Sequence, residues 1–227
     1  MLQKITLCCF FLFSCLSWGQ IIEFKAPDYE AIGKAIQDKS SDVYYPRLLR
    51  VFKSNTTSLT PRQYEYLYYG YALQNTKDSH TRFSKEEELM AYTSKVPDMA
   101  DVPQLKALLQ EALDEFPFDF TYLLFLSYSY EFSGEQEKST RLSNHVESLA
   151  KVINHSGNGL TCDTAFHVIS ASHASFMLDL FSIASTTQQF DGSCHFFELD
   201  AELYTIPGLY FSVNQSQQTA CNNKTPQ

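Results

Sequence analysis

Apolar residues recur at the three-to-four spacing of helices through residues 27–154, and beyond residue 163 the spacing shortens to the alternation of strands. Residues 27–39, opened by Pro27, read as a short helix. Pro46 starts a second, with Leu48, Leu49, Val51 and Phe52 on one face. Thr60-Pro61-Arg62-Gln63 is a helix start: threonine at the cap, proline in the first turn, and glutamine three residues on to complete a capping box. In the helix that follows, Tyr64, Leu67, Tyr68 and Tyr71 form one stripe and Tyr66, Tyr69 and Leu73 a second, so two packing neighbours are expected. Gly70 costs this helix about 1 kcal/mol against alanine, which implies close approach of another backbone or ring.

A helix near residues 85–94 lies between polar loops. Val102, Leu105, Leu108, Leu109, Ala112, Leu113 and Phe116 then give an amphipathic stripe stopped by Pro117. Asp119 can cap the next helix, residues 120–132, which is apolar nearly all round and is therefore expected at the buried centre of the helical layer, ending at Gly134. Leu142, Val146, Leu149 and Ile153 supply the inward face of the last helix. Leu123, Leu126, Ser127 and Tyr130, followed by Gly134 and Ser139, are similar to the opening of a tetratricopeptide repeat, and with no second copy they predict one helical hairpin of that geometry.

Gly157, Asn158 and Gly159 mark a junction. Beyond it, residues 164–172 read as a strand and 174–184 as a helix. Asp191-Gly192 reads as a hairpin turn, with strands at 196–199 and 209–213 around the turn Ile206-Pro207-Gly208. The expectation is an α+β fold: an N-terminal helical layer (about 27–154) and a C-terminal small antiparallel sheet with one helix (about 164–214), in one domain spanning 20–214.

The first nineteen residues stand outside that pattern. Lys4, an apolar run over residues 5–16 and the small residue Gly19 have the form of a signal peptide cleaved before Gln20, and the run is too short to span a bilayer. Export to the periplasm or beyond the cell follows. Leu12-Phe13-Ser14-Cys15 loosely resembles a lipoprotein box, which makes a lipid anchor at Cys15 the alternative, with bulky Phe13 against it. Removing the leader leaves 16 basic and 26 acidic side chains, a formal charge of −10, and no basic run to hold a nucleic acid. Residues 215–227 form a polar tail with nothing to bury, expected to be mobile.

Three cysteines remain beyond the leader, Cys162, Cys194 and Cys221, with three pairings open. Cys162 with Cys194 is preferred because both flank strands whereas Cys221 sits in the tail. Together with His167, His173 and His195 they could build a zinc site or a Cys/His pair, which defines the alternative function, a periplasmic or secreted hydrolase. Their spacing matches no known metal or nucleophile signature, and no glycine-rich phosphate loop or G-x-S-x-G occurs, so neither metal nor cofactor is expected.

The phrases Pro27-Asp28-Tyr29, Tyr44-Tyr45-Pro46-Arg47-Leu48-Leu49, Leu67-Tyr68-Tyr69-Gly70-Tyr71, Ala165-Phe166-His167-Val168-Ile169 and Gly208-Leu209-Tyr210-Phe211 resemble, in order, the exported bacterial domain-of-unknown-function 4919 family. The resemblance implies export and covers about residues 24–214. It transfers no activity and no catalytic residue. Seven of the fourteen tyrosines fall between Tyr44 and Tyr71. The functional expectation is therefore a protein that binds a protein or peptide partner, or a ligand, through its aromatic helical layer. Tyr44, Tyr45, Arg47, Arg50, Tyr68 and Tyr69 are the candidate binding residues, since tyrosine offers a large face with little entropy to lose and arginine holds carboxylates. The competing reading is that these rings join the two halves of the fold. Processing is tested by intact-mass measurement of protein from its own host: the mature chain starts at Gln20, and a diacylglyceryl Cys15 start or a full-length mass contradicts this.

Overall fold

The computed structural model describes residues 24–74, 82–94 and 97–213. The leader with Cys15, the start at Gln20, the tail with Cys221 and most of the loop before residue 82 lie outside the described residues. Among the described residues seven helices come first: α1 (Tyr29–Ala35), α2 (Tyr45–Ser54), α3 (Pro61–Gln74), α4 (Glu86–Thr93), α5 (Val102–Glu115), α6 (Phe120–Phe132) and α7 (Gln136–His155). After a short 3-10 turn, Cys162–Thr164, come β1 (Phe166–Val168), α8 (Ala171–Leu180), β2 (Ser185–Phe190), β3 (His195–Leu199) and β4 (Gly208–Val213).

Local side-chain caps set several helix starts. The capping box of α3 is reciprocal: the Gln63 N–H donates to Thr60 Oγ1 at 3.3 Å, and the Thr60 N–H donates to Gln63 Oε1 at 3.0 Å. Asp28 accepts from the Ala31 N–H, and Asp119 from the Tyr122 N–H, so α1 and α6 are capped in the same way. The α1 helix is shorter than the 27–39 expected, closing at Ala35 as the chain turns toward α2. Both stripes of α3 find neighbours, in α1, α2 and α7. Gly70 is where α3 meets them closest: a methyl there would lie 3.3 Å from the Tyr45 ring and 3.2 Å from Ile36.

The hairpin α6–α7 packs along its length, with the Ser127 hydroxyl against the Ser139 carbonyl at 3.0 Å and the Ser143 hydroxyl at 2.9 Å. Small residues let the two helices touch. The α6 helix departs from the expected fully buried centre: Phe120, Leu123, Leu126 and Tyr130 are inside, while Tyr128 and Phe132 are 60% and 51% exposed. Its neighbours α5, α7 and α8 leave one face uncovered.

The sheet corrects the antiparallel expectation. Its order is β1-β4-β3-β2, with β2, β3 and β4 antiparallel and β1 parallel to β4, which makes it mixed. Alternation reports which face a residue occupies and nothing of strand direction, so the parallel pair was invisible in the pattern. The first strand is also shorter than 164–172, because Thr161 organises the 3-10 turn before it and Ser170 caps α8 just after it, its hydroxyl accepting from the Ser172 N–H. The β2 strand went unread because all six of its residues are exposed and show no alternation.

One apolar cluster runs through both halves, from Ile32 and Leu67 to Val168, Phe197 and Phe211. At the junction Gly159 has φ +68°, and a side chain there would run into the Phe166 ring at 2.5 Å, so glycine is required twice over. Cys162 and Cys194 form a disulfide with Cα atoms 5.8 Å apart, tying the β2–β3 hairpin to the junction across 32 residues. Loop-closure entropy makes this bond worth about 3–4 kcal/mol. Denaturant unfolding of the Cys162→Ala/Cys194→Ala variant is therefore expected to show that loss; a loss below about 1 kcal/mol would mean the unfolded chain is scarcely constrained by the bond.

Candidate functional site

The six expected binding residues divide between surface and core. Arg47 and Arg50 are exposed on α2, Tyr44 is half-buried at its N-terminus, and Arg47 Nη2 donates to the Ser41 carbonyl. Tyr45, Tyr68 and Tyr69 are buried, the last two at 0% and 1% exposure. The structure thus does not bring the two arginines and the α3 rings onto one surface. Tyr68 and Tyr69 link the helical layer to the strand half instead. The Tyr68 hydroxyl lies 2.8 Å from His173 Nδ1 and accepts from the Ile169 N–H at 3.3 Å, and the Tyr69 hydroxyl donates to the His167 carbonyl at 3.2 Å.

Tyrosine and histidine pair repeatedly in this way. Tyr64 lies 2.6 Å from His145 Nδ1 inside the α3–α7 contact, and Tyr29 lies 3.4 Å from His167 Nδ1. Burial pushes His145 down to about 4 and His173 down to about 3, a hydrogen bond with the Phe118 backbone opposing the latter only in part. Both rings are neutral at ordinary pH. Burial likewise raises Tyr68 and Tyr69 well above the usual phenol value. These are uncharged hydrogen-bonding elements of the core.

The residues behind the hydrolase alternative do not assemble. Cys162 and Cys194 are joined, so neither offers a thiol. His173 is enclosed and paired with Tyr68, while His195 lies in the sheet beside Gln188, Nδ1 to Nε2 at 3.0 Å. Among the described residues no three His, Cys, Asp or Glu side chains are placed to hold a metal ion.

The helical layer carries a different surface feature, which the sequence reading missed. A groove of about 610 Å³ opens between the end of α4, the start of α5 and the outer face of α6, lined by Tyr92, Val102, Leu105, Phe125, Tyr128 and Phe132 among others. Phe125, Tyr128 and Phe132 sit at i, i+3 and i+7 along α6, so they form one stripe. Among the described lining residues Glu131 is the one charged side chain. Met90 and Met99, on α4 and in the turn before α5, are exposed as well. The only sequence signal for this face was the apolar character of α6 all round, which by itself reads as burial.

The family model described as Domain of unknown function (DUF4919) matches residues 30–222. The chain belongs to that family. No curated protein and no solved structure matches it. Membership in DUF4919 spans both the helical layer and the sheet, so the family comprises the two halves together and assigns no chemistry to either.

The buried histidines carry a pH signature. Between about pH 6.5, where an unfolded histidine titrates, and about pH 4, the unfolded chain binds protons that folded His145 and His173 refuse. Stability is therefore held above pH 6.5 and lost as pH falls through that window, at up to about 1.4 kcal/mol per pH unit for each ring. His173→Asn keeps an acceptor near Nδ1 and cannot take a proton. Melting curves from pH 7 to 4.5 are expected to fall less steeply for this variant than for the unaltered protein; parallel slopes would show that His173 protonates freely in the folded state.

Proposed function

We propose that this protein, exported through its leader, is a binding protein rather than an enzyme, and that the aromatic groove on α6 receives an amphipathic, basic segment of a partner protein. The observation that carries the reading is the exposure of Tyr128 and Phe132, at 60% and 51%, on a helix whose other faces are packed. A helix apolar on every side is normally enclosed, and an aromatic stripe left open beside a groove marks an interaction surface. Aromatic anchors dominate binding energy when a partner excludes water from them.

The chemistry of the occupant follows from the wall and from the charge. The groove is apolar with the carboxylate of Glu131 on its lining, and the chain is formally −9. Apolar side chains at helical spacing on the partner would fill the groove, with lysine or arginine beside them facing Glu131. The Ser127, Ser139 and Ser143 hydroxyls bring α6 and α7 together as one helical hairpin, which leaves the opposite side of α6 for the groove. Tyr44, Arg47 and Arg50 do not line this groove and would contribute at most a separate contact.

A fluorescein-labelled model helix of alternating leucine and lysine blocks, with its scrambled and its leucine–glutamate counterparts, tests the reading. The basic amphipathic peptide is expected to bind the full mature protein, and Tyr128→Ser/Phe132→Ser to weaken it by roughly tenfold or more, since loss of one central aromatic anchor exceeds 1.4 kcal/mol. Because both side chains are exposed, the melting temperature should barely move. Equal binding of the scrambled or acidic peptide, or unchanged affinity of the double variant, would sink the proposal.

A further inference from the structure

The two edges of the sheet are finished differently. In the order β1-β4-β3-β2 the outer strands are β1 and β2. The free edge of β1 is closed from within: the His167 N–H donates to Ser156 Oγ at 2.8 Å, and the His167 carbonyl accepts from the Tyr69 hydroxyl at 3.2 Å. The free edge of β2 is left bare. Among the described residues its backbone bonds to β3 alone, and all six of its residues are exposed.

An open edge is ordinarily guarded by lysine, proline or an inward-pointing charge. Residues 185–190, Ser-Thr-Thr-Gln-Gln-Phe, hold none of these, in a chain that is formally −9. One bulge, at Thr186, shifts the register against β3 and leaves residues 187–190 regular. The helical layer also stops short of this strand. Gln188 and Phe190 pair with Phe197 and His195 and so share their face of the sheet, yet Phe197 is buried while Gln188 and Phe190 are open. Large apolar side chains lie uncovered at both ends of the strand: Leu180 and Phe181 where α8 leads into it, and Phe190 at its close. The Tyr204 hydroxyl accepts from the Ala184 N–H at 3.1 Å, which brings the exposed Leu203 to the first of these ends.

We infer that β2 is a dimer edge, pairing antiparallel with β2 of a second copy of this chain so that two four-stranded sheets become one. The strand suits its own copy better than a foreign partner, because it offers no charge for another protein to answer and none to repel itself. Antiparallel pairing carries Phe190 of each copy toward the corner of Leu180 and Phe181 of the other, so the uncovered ends meet across one self-complementary contact. A two-fold axis sets one residue opposite itself, and within residues 187–190 that residue is Gln188 or Gln189. Opposed glutamine amides serve each other as donor and acceptor. The outer strands of the joined sheet are then both β1, whose edges are already closed, so growth ends at two copies. No residue of the sheet lines the aromatic groove on α6, which leaves the two surfaces independent.

Sedimentation of the full mature protein from about 1 to about 100 μM tests this, with a dimer expected to build up as concentration rises. Gln188→Lys/Gln189→Lys should weaken self-association roughly tenfold, since lysines opposed across strands repel and block the edge. Lysine makes the chain less acidic, so net charge cannot account for that loss. Gln188→Glu/Gln189→Glu should weaken it as well, and an equal mixture of the two variants should restore it, because antiparallel pairing sets the altered positions against each other. All four side chains replace exposed ones, so the melting temperatures should barely move. Amide exchange within β2 should be slower in the concentrated sample than in the dilute one, and Tyr128→Ser/Phe132→Ser should dimerise like the unaltered protein. A monomer at every concentration, or a dimer that both double variants leave intact, a covalent one through Cys221 included, would overturn the inference. So would failure of the mixture to recover association. Equal protection of β2 at both concentrations would overturn it too, by showing that the chain covers this edge with its own residues.

Discussion

Burying a tyrosine stabilises only if its hydroxyl finds a partner, and the fold is organised around that requirement on α3. Tyr68 is fully enclosed, so its oxygen must be satisfied inside. It is met by His173 of α8 and the Ile169 N–H just after β1, while Tyr69 reaches the His167 carbonyl within β1. The polar tips of two rings therefore dictate where the strand half sits against the helical half. Ser156 extends the same join: its hydroxyl accepts from the His167 N–H at 2.8 Å and donates to the Ile153 carbonyl at 2.6 Å. The histidines are suited to this because a neutral imidazole accepts through one nitrogen while packing as a flat ring. Tyr68 and His173 are stacked at 26°, and Phe120 meets the same imidazole edge-on.

The α6 helix is the second organising element, since three neighbours make different use of its sides. The Ser127 side meets α7 through hydroxyls, and Phe120 stacks on Phe176 of α8 with ring centroids 4.2 Å apart. Leu123, Leu126 and Tyr130 border a polar cavity between α2, α5 and α7, and Phe125, Tyr128 and Phe132 border the aromatic groove. One apolar helix thus separates two recesses of different character. Lys106 and Lys138 converge on Glu135 at its C-terminal end and hold that carboxyl down to about 2, a half-buried ion-pair network that locks the α6–α7 turn without enclosing either recess.

Much of this was legible in the chain. Capping chemistry is local, so Thr60 with Gln63 and Asp119 placed their helix starts directly, and Gly70 announced the close approach that the Tyr45 ring supplies. The preference for Cys162 with Cys194 held because both lie at strand ends in the ordered part of the chain. Exposure was harder to read. The cluster of tyrosines showed that α3 needed partners and left open whether those partners were its own core or another molecule, because an amphipathic ring serves both. The His145 and His173 partners are 81 and 105 residues away from their tyrosines, beyond any local pattern.

What the sequence by itself determined is the helical first half, the helix-then-strand order, the caps of α3 and α6, the junction glycines and the family. Each depends on interactions within a few residues or on periodicity along one element. What only the tertiary structure decided is the parallel placement of β1 beside β4, the burial of Tyr68 and Tyr69, the uncovered face of α6, and the closing of the β1 edge while that of β2 stays open. Those depend on which elements become neighbours, and neighbours are chosen by the summed packing of distant segments, which no single stretch of the chain records.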